Sequence, residues 1–224
     1  MQKWCRLVSV GVGFSIPPYI NKNNNNGIEQ NIIKEAFRSF GFDVVFRYYD
    51  MTTLREYFSH GVIDVALHMH NGHPIKGVAF SQPHIAYHNV VIGLKSANLN
   101  IHQISQLKSL KVMIFNNATD FLGSDFAEMA ANNPNYQEKP RDSTRVFALQ
   151  SGLVDAIVMD LNIYKYLINK GNRFVGAKEI EVFDILEKTH YRAGFHNKKL
   201  LRQFDIAIAS LKSKERYNKL LNSE

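Results

Sequence analysis

Two stretches of the sequence place polar side chains at the end of an apolar, strand-like run. Residues 150–160, QSGLVDAIVMD, end on Asp160, and residues 59–69, SHGVIDVALHM, lead into the run HMHNGH. Both stretches contain a glycine, two apolar residues, an aspartate and then an apolar run. Open parallel sheets bind ligands beyond the carboxyl ends of their strands. The repeat therefore predicts two similar lobes that carry their functional groups at strand ends.

Asp160 admits two interpretations. A carboxylate at a strand end can face a cleft and bind a ligand cation, whereas burying it unpaired would be costly. Asp is also a favoured helix N-cap, and the helical stretch LNIYKYL follows it directly. The spacing alone does not separate the ligand role from the cap role.

Five histidines lie within 21 residues: His68, His70, His73, His84 and His88. On a strand, His68 and His70 would project to one face and could start a site for Zn²⁺, Ni²⁺ or Cu²⁺. The sequence has no compact third-ligand motif such as HExxH, so we predict no metal site. His68, His70 or Glu29 could serve as acid or base in an enzyme. Because we find no nucleophile motif, phosphate loop or triad, we predict no enzymatic activity and no cofactor.

The composition narrows the class of protein. A chain of 224 residues with 45% hydrophobic content can form one large domain or two small ones. Its single cysteine, Cys5, excludes an internal disulfide and a cysteine-based zinc site. The net charge of +7 comes without a Lys/Arg run longer than two, so we predict no nucleic-acid partner. No apolar run reaches the ~18 residues of a membrane span.

Strands and helices alternate along the chain. Hydrophobic periodicity predicts strands at 6–14, 42–49, 62–69, 89–95, 111–115, 153–160 and 191–196. It predicts helices at 28–41, 53–61, 119–133, 145–152, 161–171 and about 198–221. The β-α-β-α-β order at the start indicates a parallel sheet covered by helices.

The order of several phrases resembles the family 3 extracellular solute-binding proteins, which have the type II periplasmic binding protein fold. The phrases are PPYI, GIEQNIIKEAF, GVIDVAL, FSQPH, SLKVMIFNNAT and LQSGLVDAIVMD. The resemblance covers nearly the whole chain. It implies an α/β fold of two lobes, each a mostly parallel sheet flanked by helices, joined by two crossover strands. Lobe one would be 1–89 plus 190–224 and lobe two 90–189, closing on a small ligand by hinge motion.

The resemblance also implies ligand-binding residues. In amino-acid binders of this family the aspartate matching Asp160 pairs with the ligand ammonium, and Thr119 matches a hydroxyl residue that helps hold the ligand carboxylate. The alternative for Thr119 is an N-cap of a helix starting at Asp120. Phe115 matches an apolar wall position, and Asn117 stands where the family usually has glycine. The lobe-one candidates are Phe14, Tyr19, Met51, His68, His70 and Asn71; for Phe14 and Tyr19 the alternative is packing under the Pro-Pro turn.

One departure from the family pattern bears on the ligand. Amino-acid binders carry an arginine shortly after the lobe-one strand, which clamps the ligand carboxylate through two hydrogen bonds. The matching stretch, HMHNGHPIKGVAF, contains no arginine, and Lys76 is its only fixed cation. A histidine or lysine can replace the clamp as a single-point contact. The expected ligand is an amino acid or a related amine-bearing compound.

The resemblance implies a monomeric periplasmic binding protein, exported by a signal peptide that this sequence does not include. Its partners would be a small-molecule ligand and an inner-membrane ABC permease. The alternative on the same fold is the ligand-sensing extracellular domain of a signalling receptor.

Overall fold

The computed structural model describes residues 6–13, 15–68, 75–170, 174 and 176–221. The chain divides into two compact units. Unit 1 comprises Met1–Ala86 with His190–Glu224, and unit 2 comprises Tyr87–Thr189; the first boundary predicted from the sequence follows residue 89. Among the described residues, no helix is both long enough and apolar enough to cross a membrane.

The described part of the chain contains strands and helices in the alternating order that the sequence predicts. The strands are β1 Arg6–Val12, β2 Phe42–Tyr48, β3 Val65–Leu67, β4 Ala79–Phe80, β5 Ile85–Tyr87, β6 Asn89–Leu94, β7 Val112–Ile114, β8 Tyr136–Glu138, β9 Ala156–Asp160, β10 Ile180–Phe183, β11 Thr189–Tyr191 and β12 Ala193–Phe195. The α-helices are α1 Ile28–Arg38, α2 Met51–Ser59, α3 Ser124–Ala131, α4 Asp142–Gln150, α5 Leu161–Asn169, α6 Lys198–Lys212 and α7 Glu215–Leu221. Short 3-10 helices lie at Lys95–Ala97, Ile104–Ser109 and Ala118–Asp120.

Each unit is built on a five-stranded mixed sheet. In unit 1 the order is β2-β1-β3-β12-β4, with β1 parallel to β2 and β3, and β12 antiparallel to β3 and β4. In unit 2 the order is β10-β6-β9-β7-β8, with β7 parallel to β8 and β9, and β6 antiparallel to β9 and β10. β5 and β11 pair where the chain passes between the units. The predicted α/β fold is confirmed, and the antiparallel half of each sheet is a feature that the periodicity did not predict.

Helix α1 covers the unit 1 sheet with the apolar face that the sequence indicates. Ile32, Ile33 and Ala36 are fully buried. The Phe37 and Phe204 rings, from α1 and α6, lie 5.3 Å apart between centroids. Burying an aromatic side chain of this size stabilises the folded state by about 1.5–3 kcal/mol. In unit 2 the core is formed mainly by aliphatic residues around Phe126.

The repeated phrase of the sequence forms the same local structure twice. Gly61 and Gly152 follow α2 and α4 with φ of 72° and 71°, a conformation that costs glycine little. Each helix ends in a Schellman motif: Val62 N–H donates to Tyr57 O at 2.9 Å, and Leu153 N–H donates to Ala148 O at 2.9 Å.

The aspartates of the two phrases also make the same kind of contact, because each accepts a backbone N–H. Asp64 accepts the Ser9 backbone N–H at 2.8 Å, and Asp155 accepts the Lys111 N–H at 2.7 Å. Asp64 therefore binds the middle of the parallel strand β1, and Asp155 binds the residue directly before the parallel strand β7.

Three predicted elements are shorter than the periodicity indicated. The helix predicted at 119–133 is wrong at its start, because Gly123 at φ 87° separates a 3-10 turn from α3. The single terminal helix is wrong, because α6 ends at Lys212, capped by Ser213, and α7 follows. The strand predicted at 62–69 narrows to β3, because Asp64 is engaged by Ser9 and His68 is left-handed with φ 59°.

Candidate ligand-binding site

The carboxyl end of β9 presents a buried carboxylate. Asp160 is 3% exposed and is the N-cap of α5. Its Oδ1 accepts the N–H groups of Asn162 at 2.9 Å and Ile163 at 3.1 Å, and its Oδ2 accepts the His88 N–H at 2.7 Å. The cap interpretation of Asp160 is therefore confirmed. The ligand role stays a prediction, and the three backbone donors hold the carboxylate in one orientation at the strand end.

The other predicted unit 2 residues follow β7, which runs parallel to β9. Phe115 is partly buried and packs against the unit 2 core. Asn117 is exposed and left-handed, with φ 59°, and its N–H donates to Glu138 Oε2 at 2.8 Å. Thr119 lies inside the 3-10 turn, so its predicted N-cap role is wrong: Asn117 precedes the turn and Gly123 precedes α3. Because parallel strands end at one edge, Phe115, Thr119 and Asp160 share the carboxyl edge of this sheet.

Unit 1 contains a buried acid flanked by two imidazoles. Glu29, in the first turn of α1, is fully buried. Its Oε2 lies 3.0 Å from His68 Nε2, and its Oε1 lies 2.7 Å from His84 Nε2. The side chain of His68 is 10% exposed and that of His84 is not exposed at all. We call Glu29, His68 and His84 the acid–imidazole cluster.

Electrostatics in the acid–imidazole cluster favour the ionised carboxyl. Burial alone raises the pKa of Glu29, but the charges of His68 and His84 and the hydrogen bonds from both imidazoles outweigh it and hold the pKa well below its usual range. Burial, together with the nearby Glu29 charge, raises the pKa of Tyr217 to about 12. The Tyr217 hydroxyl is therefore neutral at physiological pH, and it donates to the His84 carbonyl oxygen at 2.7 Å.

The surroundings restrain both imidazoles. The His68 ring meets the Tyr191 ring edge-on, with centroids 4.7 Å apart. The His84 ring meets Phe204 edge-on at 6.0 Å, and its backbone N–H donates to Tyr191 O at 3.0 Å. Within the described residues, His84 Nδ1 is buried without a hydrogen-bond partner.

The remaining predicted residues divide into three groups. Tyr19 is 1% exposed, as in its packing alternative, and Met51 is partly buried against the cluster around Leu54 and Phe58. Lys76 is exposed in a turn. Phe14, His70 and Asn71 lie outside the described residues.

The histidine cluster of the sequence separates in the fold. His68 and His84 converge on Glu29, whereas His88 Nε2 lies 2.7 Å from Asp184 Oδ1 in unit 2. His68 follows β3 instead of lying on it, so the premise of two histidines on one strand face is wrong. Across the described part of the chain, no three His, Cys, Asp or Glu side chains are arranged to hold a metal ion.

From the sequence, Glu29 is only a possible acid or base, and His84 is only a member of the histidine cluster. A signal for Glu29 was present, because it lies four residues before Ile33 and seven before Ala36, on the buried face of α1. A charged residue on such a face requires a partner in the core.

Among curated proteins, none matches this chain significantly in sequence. Several solved structures match its fold at low identity. The GluR0 ligand-binding core in complex with L-glutamate has a TM-score of 0.73 at 16% identity, covering 95% of both chains. An ancestral cationic amino acid solute-binding protein has 0.73 at 18% identity, covering 96% of this chain and 93% of that one. An amino acid ABC transporter substrate-binding protein from Streptococcus pneumoniae, bound to L-arginine, has 0.64 at 19%, covering 96% and 92%.

Sequence comparison at the level of families agrees with the fold. The family model for bacterial extracellular solute-binding proteins, family 3, matches residues 8–223. The match spans both units and includes Glu29, Thr119 and Asp160. The chain therefore belongs to the family 3 bacterial extracellular solute-binding proteins.

Proposed function

We propose that this protein binds a small polar solute, an amino acid or a related amine-bearing compound, in the periplasm. It would deliver the solute, as a monomer, to the membrane permease of an ABC transporter. The observation that carries the proposal is the family match over residues 8–223. The similar solved structures include proteins bound to L-glutamate, L-arginine and histidine.

Asp160 is the proposed contact for the ligand ammonium. A carboxylate is a strong acceptor for an ammonium group, because charge-assisted hydrogen bonds are about twice as strong as neutral ones. Asp160 ends β9, and three backbone donors orient its carboxylate. Thr119 and Phe115, at the carboxyl end of the parallel strand β7, are the proposed hydroxyl and apolar contacts in the same unit.

Isothermal titration calorimetry against the standard amino acids and their decarboxylated amines tests this proposal. A ligand at 100 times its dissociation constant should also raise the free energy of unfolding by about 2.7 kcal/mol, or ~5–10 °C in Tm. We expect binding to the wild type and its loss in Asp160→Ala.

Because Asp160 is also an N-cap, Asn197→Ala is the matched control. Asn197 caps α6 and accepts the N–H groups of Lys199 at 2.9 Å and Leu200 at 3.1 Å. It should lose stability and keep its affinity. If no amine-bearing compound binds the wild type, or if Asp160→Ala binds as tightly as Asn197→Ala, the proposal is wrong.

A further inference from the structure

The net positive charge of the chain belongs entirely to unit 1. Residues 1–86 and 190–224 contain 16 Lys/Arg and 9 Asp/Glu, a net charge of +7, whereas residues 87–189 contain 11 of each. The excess is greatest in residues 190–224, which contain 8 Lys/Arg and 3 Asp/Glu and include the helices α6 and α7. An asymmetry of this kind indicates an anionic partner for the charged unit.

Helices α6 and α7, with the turn that joins them, expose most of this excess charge to solvent. All seven basic residues of the range 198–221 are exposed, and we call them the C-terminal basic surface: Lys198, Lys199, Arg202, Lys212, Lys214, Arg216 and Lys219. The same range contains two acidic residues. Asp205 is partly buried and accepts the Gln82 N–H at 2.9 Å, and Glu215 is exposed. The seven cations are therefore far from neutralised by their own segment.

Contacts within the fold account for three of the seven cations. Lys212, Arg216 and Lys219 make hydrogen bonds or ion pairs with Pro83, Glu35 and Glu215, respectively. These contacts join α6 and α7 to their surroundings or lie within α7. A structural role is sufficient to explain the presence of these three residues.

The other four cations have no such role. Among the described residues, no hydrogen bond or ion pair engages the side chains of Lys198, Lys199, Arg202 and Lys214. Lys198 and Lys199 occupy the first turn of α6, where the helix dipole favours acidic residues, and this turn contains none. Their charge therefore opposes the dipole and does not stabilise the helix. Departures from a local stability rule are expected where a surface has a function.

The composition of the C-terminal basic surface favours a lipid bilayer over a protein as its partner. Five of the seven cations are lysines, and lysine is depleted at protein–protein interfaces, where arginine and aromatic residues are enriched. In the described range 198–221, Ile206, 62% exposed, is the one exposed large hydrophobic side chain, so the surface lacks the apolar centre of a protein interface. A lysine ammonium is a flexible point charge, which suits a plane of phosphate groups.

We infer that unit 1 adsorbs, through the C-terminal basic surface, to a bilayer that contains anionic phospholipids. Lys198, Arg202 and Ile206 follow one another at intervals of four residues, so they lie on one side of α6. The cations attract the lipid phosphates, and the Ile206 side chain enters the headgroup layer between them. This inference goes beyond the proposed function. Adsorption would concentrate the protein at the membrane that carries the proposed permease.

Flotation of the protein with lipid vesicles tests the inference. We expect binding to vesicles of phosphatidylglycerol and phosphatidylcholine in equal parts, and none to vesicles of phosphatidylcholine alone. Binding should be weaker at ~0.15 M salt than at ~0.01 M, because the Debye length falls from ~30 Å to ~8 Å. The triple variant Lys198→Gln, Lys199→Gln, Arg202→Gln should lower the partition coefficient about a hundredfold, at about fivefold for each cation. Its Tm should change little, since none of the three side chains has a partner in the fold.

A matched triple variant separates this surface from the total charge. Lys108→Gln, Lys111→Gln and Lys165→Gln remove the same charge from exposed positions of unit 2, and this variant should bind anionic vesicles as the wild type does. An equal loss in the two triple variants overturns the inference, as does a wild type that ignores anionic vesicles. Binding to soluble polyglutamate but not to vesicles would also overturn it, and would indicate an acidic protein partner. The proposed function stands in all three cases, because calorimetry with amino acids measures solute binding separately.

Discussion

The backbone N–H of His88 donates to Asp160 Oδ2 at 2.7 Å, and the Leu161 N–H donates back to the His88 carbonyl at 3.2 Å. His88 immediately precedes β6, whose Asn89 pairs with Asp160 in the antiparallel ladder with β9. The Asp160 carboxylate therefore ties the start of α5 to the start of β6. One side chain serves both a helix cap and a strand junction.

Asp160→Ala should lower the free energy of unfolding by about 2–3 kcal/mol, because it removes an N-cap and leaves the partly buried His88 N–H without its acceptor. Asp160→Asn keeps one carbonyl oxygen and should lose less. Urea denaturation of both variants measures the difference. Equal losses in the two variants would show that the two carboxylate oxygens do not have separate roles.

Glu29→Gln should lower the free energy of unfolding at pH 7 by about 3 kcal/mol, the scale for breaking a buried ion pair. The folded-state pKa of Glu29 is lowered, so its stabilisation is complete above the unfolded pKa of about 4.3. It is lost as the pH falls below that value, toward the folded-state pKa. The difference between wild type and variant should therefore shrink on acidification.

Glu35→Gln is the control for that measurement. Glu35 lies on the same helix and pairs with Arg216 at 2.8 Å, but the pair is partly exposed. A surface ion pair contributes only about 0–1 kcal/mol. Chemical denaturation of both variants between pH 7 and pH 3 separates them, and an equal loss at Glu35 would contradict the special role of Glu29.

Gly61→Ala and Gly152→Ala should each lower the free energy of unfolding by about 1 kcal/mol, because alanine is disfavoured at positive φ. A Cβ at either position would meet no atom within 4 Å, so the loss reflects backbone conformation without steric crowding. Thermal melts compare the two. A loss at one glycine and none at the other would contradict the equivalence of the two Schellman motifs.

Asn117 tests the same conformational preference in the unit 2 candidate site. Because its φ is 59° and its ψ is 28°, Asn117→Ala should cost about 1 kcal/mol, whereas Asn117→Gly should be close to neutral. The denaturation midpoints of the wild type and the two variants measure this order of stability. Affinity for any ligand should follow the same order, since Thr119 belongs to the turn that Asn117 begins; an alanine variant as stable as wild type would contradict it.

Much of the fold was predictable because local periodicity reflects burial. The apolar spacing of α1 predicts its buried face, and the repeated glycine–aspartate phrase predicts the turns at Gly61 and Gly152. The same periodicity wrongly extended the helix predicted at 119–133 through Gly123 and joined α6 to α7. An apolar pattern can continue across a point at which the backbone changes direction. The antiparallel pairing of β12 depends on partners more than a hundred residues away in sequence, such as Ala66 with Gly194.

The candidate site was also predictable only in part. The sequence by itself determined the family, the two strand ends that carry polar residues, and the alternatives for Asp160. The tertiary structure alone decided that Asp160 caps α5 while accepting His88, and that His68 and His84 meet on Glu29. His68 lies 39 positions from Glu29 along the chain, and His84 lies 55 positions from it. Their contact arises from the packing of α1 against segments that are distant in sequence. The partners of the buried Glu29 carboxylate therefore depend on the tertiary structure, and local sequence patterns do not contain that information.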